Sequence, residues 1–231
     1  MTKKPHILFF GPKYAIDNLP VSETNNFNLE LAILDDQEVL GKQLSHADGL
    51  VDASMAVKID DELVSLARNL KIISTATTGS SHIRLGQDNL DKIKVRTLRE
   101  DKDLLKNLTP AAEHTWALVM LLARDFFEAS QHTKDGFWIR EQFPSILLKD
   151  KTFGVIGFGR IGEWVSRYAL AFGMNVIAYD PGITCWPTGV FPVKQLKDIA
   201  EQSDFFSLHV HLSEHTQDLL SAEFFDHLKG G

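Results

Sequence analysis

Gly157, Gly159 and Gly162 stand in the spacing Gly-x-Gly-x-x-Gly, and Asp180 follows 18 residues after the last of them. Residues of these types, so spaced, can cradle a pyrophosphate and a ribose. The first glycine permits a tight turn, the second lets backbone approach the pyrophosphate, and the third lets a helix pack closely on its strand. The pyrophosphate then sits on free N–H groups at the positive end of that helix. An acid about 20 residues on accepts from a ribose 2′-hydroxyl. Asp180 would repel a 2′-phosphate, and no basic residue directly follows it in PGITCW, so NAD is favoured over NADP.

A glycine triplet alone is weak evidence, and its meaning rests on the elements around it. An apolar run containing Phe153, Val155 and Ile156 precedes the triplet and reads as a strand. Ile161, Trp164, Val165, Tyr168, Ala169 and Phe172 then fall on one face at helical periodicity. Gly173 supplies a C-terminal stop, and a second apolar run ends at Asp180. Strand, glycine turn, helix, strand and acid thus occur in the order that dinucleotide binding requires.

Other residues that could do chemistry read more plainly. His209 and His211, two apart on a strand, face the same way, with His215 and His227 downstream. A metal site needs three or four converging ligands, and no such set is evident in the spacing. Glu100, Asp101 and Asp103 read as a solvated hinge rather than as paired catalytic carboxylates. The one cysteine, Cys185, excludes an internal disulfide and suits a reducing cytoplasm.

Strand patterns at His6–Phe10, Leu29–Leu34, Gly49–Ala53, Lys71–Thr75 and Lys94–Leu98 alternate with helical ones, most clearly Gln37–His46 and Asp60–Asn69. Such alternation predicts a doubly wound parallel α/β sheet. After the charged segment Arg99–Leu108, a long helix is expected from Ala111 to about Thr133, with Thr109 as N-cap and Pro110 at its first position. Its middle, Trp116–Ala123, is apolar almost all round, which implies burial on two sides. One side would cover a sheet, and the other would meet a second subunit or a second internal domain. Beyond the glycine turn, Asp204–Leu212 reads as a strand and Ser221 as the N-cap of a last helix. Two domains are expected, 1–108 and 109–231. The net charge of −7, with no basic cluster, argues against nucleic-acid binding. No apolar run reaches membrane-spanning length.

Together these segments resemble the D-isomer-specific 2-hydroxyacid dehydrogenases, in particular the phosphoglycerate-dehydrogenase-like branch. AEHTWALVMLLAR (Ala112–Arg124), FGVIGFGRIG (Phe153–Gly162), FGMNVIAYDP (Phe172–Pro181), FSLHVHL (Phe206–Leu212), the terminal LKGG and LKIISTATTGSSHI (Leu70–Ile83) carry the resemblance. It implies a flavodoxin-like substrate domain followed by an NAD-binding Rossmann domain, and a cytoplasmic NAD-dependent oxidoreductase acting on a small 2-hydroxy or 2-keto acid. A homodimer would form through the 111–133 helix region. Thr77, Thr78 and Gly79 would hold the substrate carboxylate. Arg160 and Ile161 would offer N–H groups to the pyrophosphate, and His209 and Thr216 would line the cofactor groove. Ser81 and Arg84 stand where relatives usually carry acids. The family's catalytic arginine, histidine and carboxylate have no matching position before Gly231, so no catalytic residue is assigned. The Rossmann domain is accordingly expected to be incomplete, its first half only, with strands in positions 3, 2 and 1 and Phe153–Ile156 left as an exposed edge. The alternative function is a noncatalytic NAD-binding or oligomerisation module.

Overall fold

The structure, a computed structural model, describes residues 3–19 and 25–229. It divides into two compact units, Met1–Leu105 and Lys106–Gly231. In the first, strands β1 (His6–Phe10), β2 (Asn28–Leu31), β3 (Gly49–Asp52), β5 (Ile72–Thr75) and β7 (Lys94–Thr97) form one parallel sheet in the order β2-β1-β3-β5-β7. A short parallel pair, β4 (Ile59–Asp60) with β6 (Ile83–Arg84), stands apart from it. The five-stranded order is the doubly wound order of flavodoxin-like folds, whose ligands gather at the C-terminal strand ends. Leu8, Phe10, Leu50 and Ile73 are fully buried in this sheet, as its near-continuous apolar strands require.

Among the described residues, four helices connect these strands: α1 (Lys13–Asp17), α2 (Gln37–His46), α3 (Asp61–Ser65) and α4 (Gln87–Leu90). Asp36 starts α2 by accepting from the N–H groups of Glu38 and Val39, and the helix buries Leu40 and Leu44 on the sheet. The span expected at Asp60–Asn69 forms a helix only over α3, which Asp60 caps through the N–H of Leu63. The charged segment after β7 is more ordered than expected, since it holds a 3-10 turn at Leu98–Glu100 and helix α5 (Lys102–Lys106).

The expected long helix is two. Helix α6 (Pro110–Ala123) ends, and α7 (Phe126–Lys134) begins, at Asp125, whose φ of 51° places it in the left-handed region. Asp is one of the few residues that tolerate that conformation, so the break is possible without glycine. Pro110 does occupy the first turn, but the Thr109 hydroxyl donates to the Glu113 carboxylate and does not cap. Ser221 likewise precedes α10 (Ala222–Asp226) without a capping bond from its side chain.

The second sheet is built on β8 (Thr152–Ile156), β9 (Asn175–Tyr179), β10 (Val190–Pro192) and β11 (Phe205–Leu208), all parallel, in the order β10-β9-β8-β11. Helix α8 (Arg160–Ala171) crosses from β8 to β9, burying Val165, Ser166 and Ala169. It stops at Gly173 (φ 75°), where the N–H of Gly173 reaches Leu170 O and that of Met174 reaches Ala169 O. Both carbonyls would otherwise be orphaned. Helix α9 (Leu196–Gln202) leads into β11 and buries Ile199 and Ala200.

This order corrects one expectation. Phe153–Ile156 is no edge, because β11 pairs with it in register from Phe205↔Phe153 to Leu208↔Ile156. The strand in position three is β10, a three-residue element in the loop after Asp180, and β11 takes position four across the switch point. The LKGG turn lies, from Gly230 on, outside the described residues.

Candidate functional site

The turn leaving β8 is held from three sides. Gly157 has φ 88°, its N–H donates to Tyr179 O at the end of β9, and a Cβ there would sit 2.9 Å from the carbonyl of His209. Only glycine combines that dihedral with that proximity. At Gly162 an added Cβ would fall 2.2 Å from the carbonyl oxygen of Gly157, so α8 rests directly on the turn. At Gly159 it would meet nothing within 4 Å. The middle glycine therefore borders open space, and a bulky anion can approach backbone there. The N–H groups of Arg160 and Ile161, in the first turn of α8, have no acceptor among the described residues. With the helix dipole behind them they fit a pyrophosphate.

Asp180 lies at the end of β9 beside this turn. One carboxylate oxygen accepts from the N–H of Phe158 and the other from that of Gly182, each at 2.8 Å. The acid thus braces the glycine turn itself. A carboxylate has about four lone-pair sites, so two remain for ribose hydroxyls. Phe158 is further fixed against Trp186, with ring centroids 5.0 Å apart.

The Arg160 side chain turns away from the turn and donates to Leu108 O, while Trp164 Nε1 donates to Lys106 O at 3.2 Å. Arg160 thus contributes its N–H to the anion site, and its guanidinium holds the chain entering α6. Arg167 stacks 4.7 Å over Trp164 and pairs with Glu163, holding the indole in place.

The opposite wall is the chain leaving β11. The N–H of His209 donates to Ile156 O at 2.7 Å, which zips this segment against the end of β8. Its Nε2 lies 2.8 Å from Ser207 Oγ, and burial holds the ring's pKa below the usual histidine value. A neutral imidazole at neutral pH therefore lines the switch point. Thr216 serves the loop that follows: its hydroxyl donates to His211 O and accepts from the N–H of Ser213, so its bonds are all within 211–216. Among the described residues, no cluster of three or more His, Cys, Asp or Glu could hold a metal.

In the first unit, Thr77, Thr78 and Gly79 form the start of an arch beyond the C-terminal end of β5. Its near foot is set by the N–H of Ala76 on Asp52 O and by the N–H of Leu98 on Thr77 O. The Thr77 hydroxyl bridges Thr75 Oγ1 at 2.8 Å and Gly79 O at 2.6 Å. The N–H groups of Thr78, Gly79, Ser80 and Ser81 donate to no described residue. Consecutive uncommitted N–H groups are what a small carboxylate needs from backbone.

Asp52 and His82, on either side of this arch, escape a reading by spacing because 30 residues separate them. Asp52 at the end of β3 is 0% exposed, and its Oδ1 accepts from Ser54 N, Ser54 Oγ and Met55 N at 3.2 Å each. These bonds hold Met55 in the left-handed region at φ 54°. Asp52 Oδ2 stands 2.9 Å from Nε2 of His82, whose side chain is 8% exposed.

A family model described as the D-isomer specific 2-hydroxyacid dehydrogenase NAD-binding domain matches residues 116–231. The chain is 34% identical over 195 residues to D-3-phosphoglycerate dehydrogenase of Methanocaldococcus jannaschii, covering 81% of this chain and 35% of that protein. It is also 34% identical over 200 residues to hydroxypyruvate reductase of Thermotoga maritima, covering 85% of this chain and 62% of that one. The chain therefore spans less than two thirds of these relatives' length. Among solved structures, apo D-lactate dehydrogenase from Escherichia coli superposes with a TM-score of 0.80 at 25% identity, covering 98% of this chain and 71% of that one. From the glycine turn, the parallel sheet around it and these likenesses, the chain belongs to the D-isomer-specific 2-hydroxyacid dehydrogenases, and its second unit carries that family's NAD-binding domain.

Proposed function

We propose that the protein takes part in hydride transfer between NAD and C2 of a small 2-hydroxy or 2-keto acid. The observation that carries this reading is the glycine turn: open space at Gly159, closed packing at Gly162, free N–H groups at Arg160 and Ile161, and Asp180 alongside. NAD supplies the hydride acceptor or donor when bound. The chain's own residues bind and orient. Gly157, Gly159, Arg160, Ile161 and Gly162 hold the pyrophosphate, Asp180 the adenosine ribose, and His209 with the loop closed by Thr216 forms the opposing wall. Thr77, Thr78 and Gly79 receive the substrate carboxylate. The first unit is thus the substrate domain and the second the cofactor domain. No proton-transfer residue is assigned within these 231 positions.

The pairing of β11 with β8 supports a second reading, a binding module without turnover, since both walls at the switch point are in place. Calorimetry with NAD, beside NADH oxidation assayed with glyoxylate, pyruvate and phosphohydroxypyruvate, separates the two. Binding with turnover supports the dehydrogenase, binding without turnover supports the module, and failure to bind NAD overturns both.

The partner in assembly is a second copy, meeting through the region of α6 and α7. Leu122 (70% exposed), Phe126, Phe127 and Trp138 (86% exposed) project from this region to solvent. Apolar exposure on that scale marks interaction surfaces. A cytoplasmic location accords with the exposed free thiol of Cys185. No helix among the described residues is long and apolar enough to cross a membrane.

A further inference from the structure

We infer that Asp52 and His82 are a positioning pair that holds the arch from Thr77 to Ser81 in its anion-receiving shape. The inference rests on the reading of that arch as the carboxylate site. Both feet of the arch stand on one residue. At the near foot the backbone carbonyl of Asp52 accepts from Ala76 N at 2.8 Å. At the far foot its carboxylate faces the ring of His82 at 2.9 Å, and His82 O in turn accepts from Ile59 N at 2.9 Å. Between the feet, the N–H groups of Thr78, Gly79, Ser80 and Ser81 make no bond to another described residue. Within the arch the Thr77 hydroxyl donates to Gly79 O at 2.6 Å and Ile83 N to Ser80 O at 2.9 Å, which shapes the loop, while the two feet fix where its donors stand.

Asp52 is fully buried and the His82 side chain is 8% exposed, yet neither ring nitrogen of His82 has a partner at hydrogen-bonding angles among the described residues. A buried polar group left so is costly, and a fold keeps one when another requirement overrides. Here the requirement is placement: the carboxylate already serves the turn at Ser54 and Met55, and the ring fills the remaining space beside it. One buried acid thereby ties the loop after β3 to the loop after β5. Neither residue touches the substrate in this arrangement; both act through the backbone donors.

The test uses the full chain labelled with nitrogen-15, with glyoxylate as the probe. In the wild type, glyoxylate is expected to shift the amide signals of Thr78, Gly79, Ser80 and Ser81. His82→Ala should weaken that binding about tenfold or more, the scale of losing one buried polar contact. His82→Gln, which returns an N–H near the position of Nε2, should recover most of it, whereas His82→Leu, which fills the space without a donor, should not. NAD affinity should stay unchanged in all three variants. If His82→Ala does not fold, Asp52→Asn carries the test. It keeps the side chain's shape but alters the carboxylate facing the ring, and should lower the backbone nitrogen-15 order parameters of Thr78–Ser81 from the rigid range, about 0.85, toward the flexible range, below about 0.6. Wild-type glyoxylate affinity in a folded His82→Ala protein, or unchanged order parameters in Asp52→Asn, overturns the inference. Silence of the wild-type arch toward glyoxylate would instead overturn the carboxylate-site reading, while the order parameters still decide whether the pair orders the arch.

Discussion

Two alanines placed three residues apart should fail in different ways. At Gly159 a methyl group meets no atom within 4 Å, and the backbone there (φ −81°, ψ −165°) is extended and open to any residue. Alanine should therefore fold as well as glycine. A loss of about 0.5–1 kcal/mol at the helix cap is set against about 0.4–1 kcal/mol gained by restricting the unfolded chain. The same methyl occupies the space through which a pyrophosphate approaches the N–H groups of Arg160 and Ile161. NAD affinity should fall at least tenfold, about 1.4 kcal/mol. At Gly162 the methyl would lie 2.2 Å from the carbonyl oxygen of Gly157, more than 1 Å inside an ordinary contact. No flexible side chain can yield there, so α8 or the turn must shift. Overpacking against backbone that cannot yield falls in the upper part of the usual range, about 2–3 kcal/mol, against about 1 kcal/mol returned by alanine's helix propensity. A net loss of about 1–2 kcal/mol should lower the melting temperature of the second unit by roughly 3–10 °C. Calorimetric titration with NAD and thermal unfolding of both variants decide the matter. Wild-type affinity in Gly159→Ala, or wild-type melting in Gly162→Ala, would refute the reasoning.

Other perturbations follow from the same geometry. Asp180→Ala removes the acceptor for Phe158 N and Gly182 N and should cost about 2 kcal/mol in thermal unfolding, with weaker NAD binding; equal stability would refute the bracing role. Burial keeps His209 neutral in the fold, so the unfolded chain takes up the proton first as pH falls. Its contribution is complete above the ordinary histidine pKa near 6.5 and is lost as pH drops toward the lower folded value, so His209→Asn should flatten the pH dependence of Tm below about pH 6.5. Leu122→Glu should convert a sedimenting dimer to monomer without changing the melt of the second unit at low protein concentration, and an unchanged sedimentation coefficient would count against assembly through α6.

What could be read from residues alone was whatever is local and sterically demanding. Gly157, Gly162 and Gly173 announce themselves because a positive φ or a 2.2 Å approach leaves no alternative, and Asp180 follows at the distance one helix imposes. Position three of the sheet was hidden because β10 is three residues long and carries Pro192, so it has neither the length nor the alternation of a recognisable strand. Missing it shifted β11 by one place and left β8 looking like an edge. The break at Asp125 was equally silent: Leu-Leu-Ala-Arg-Asp-Phe-Phe continues a helical pattern, and only tertiary placement turns it. Asp52 and His82 meet because β3 and β5 lie side by side in parallel and the loops leaving them adjoin, which no spacing rule reveals.

The double use of Asp180 bears on how this lineage could change its cofactor. The side chain that would exclude a 2′-phosphate also fastens the phosphate turn to the start of the loop at Gly182. Selection for a phosphorylated dinucleotide at that position would weaken the cradle in the same step. The easier route leaves the acid in place and adds a positive charge on the exposed residues just past it, at Pro181 or Thr184. Cofactor preference would then drift through the loop's outer face, while its anchor stayed fixed.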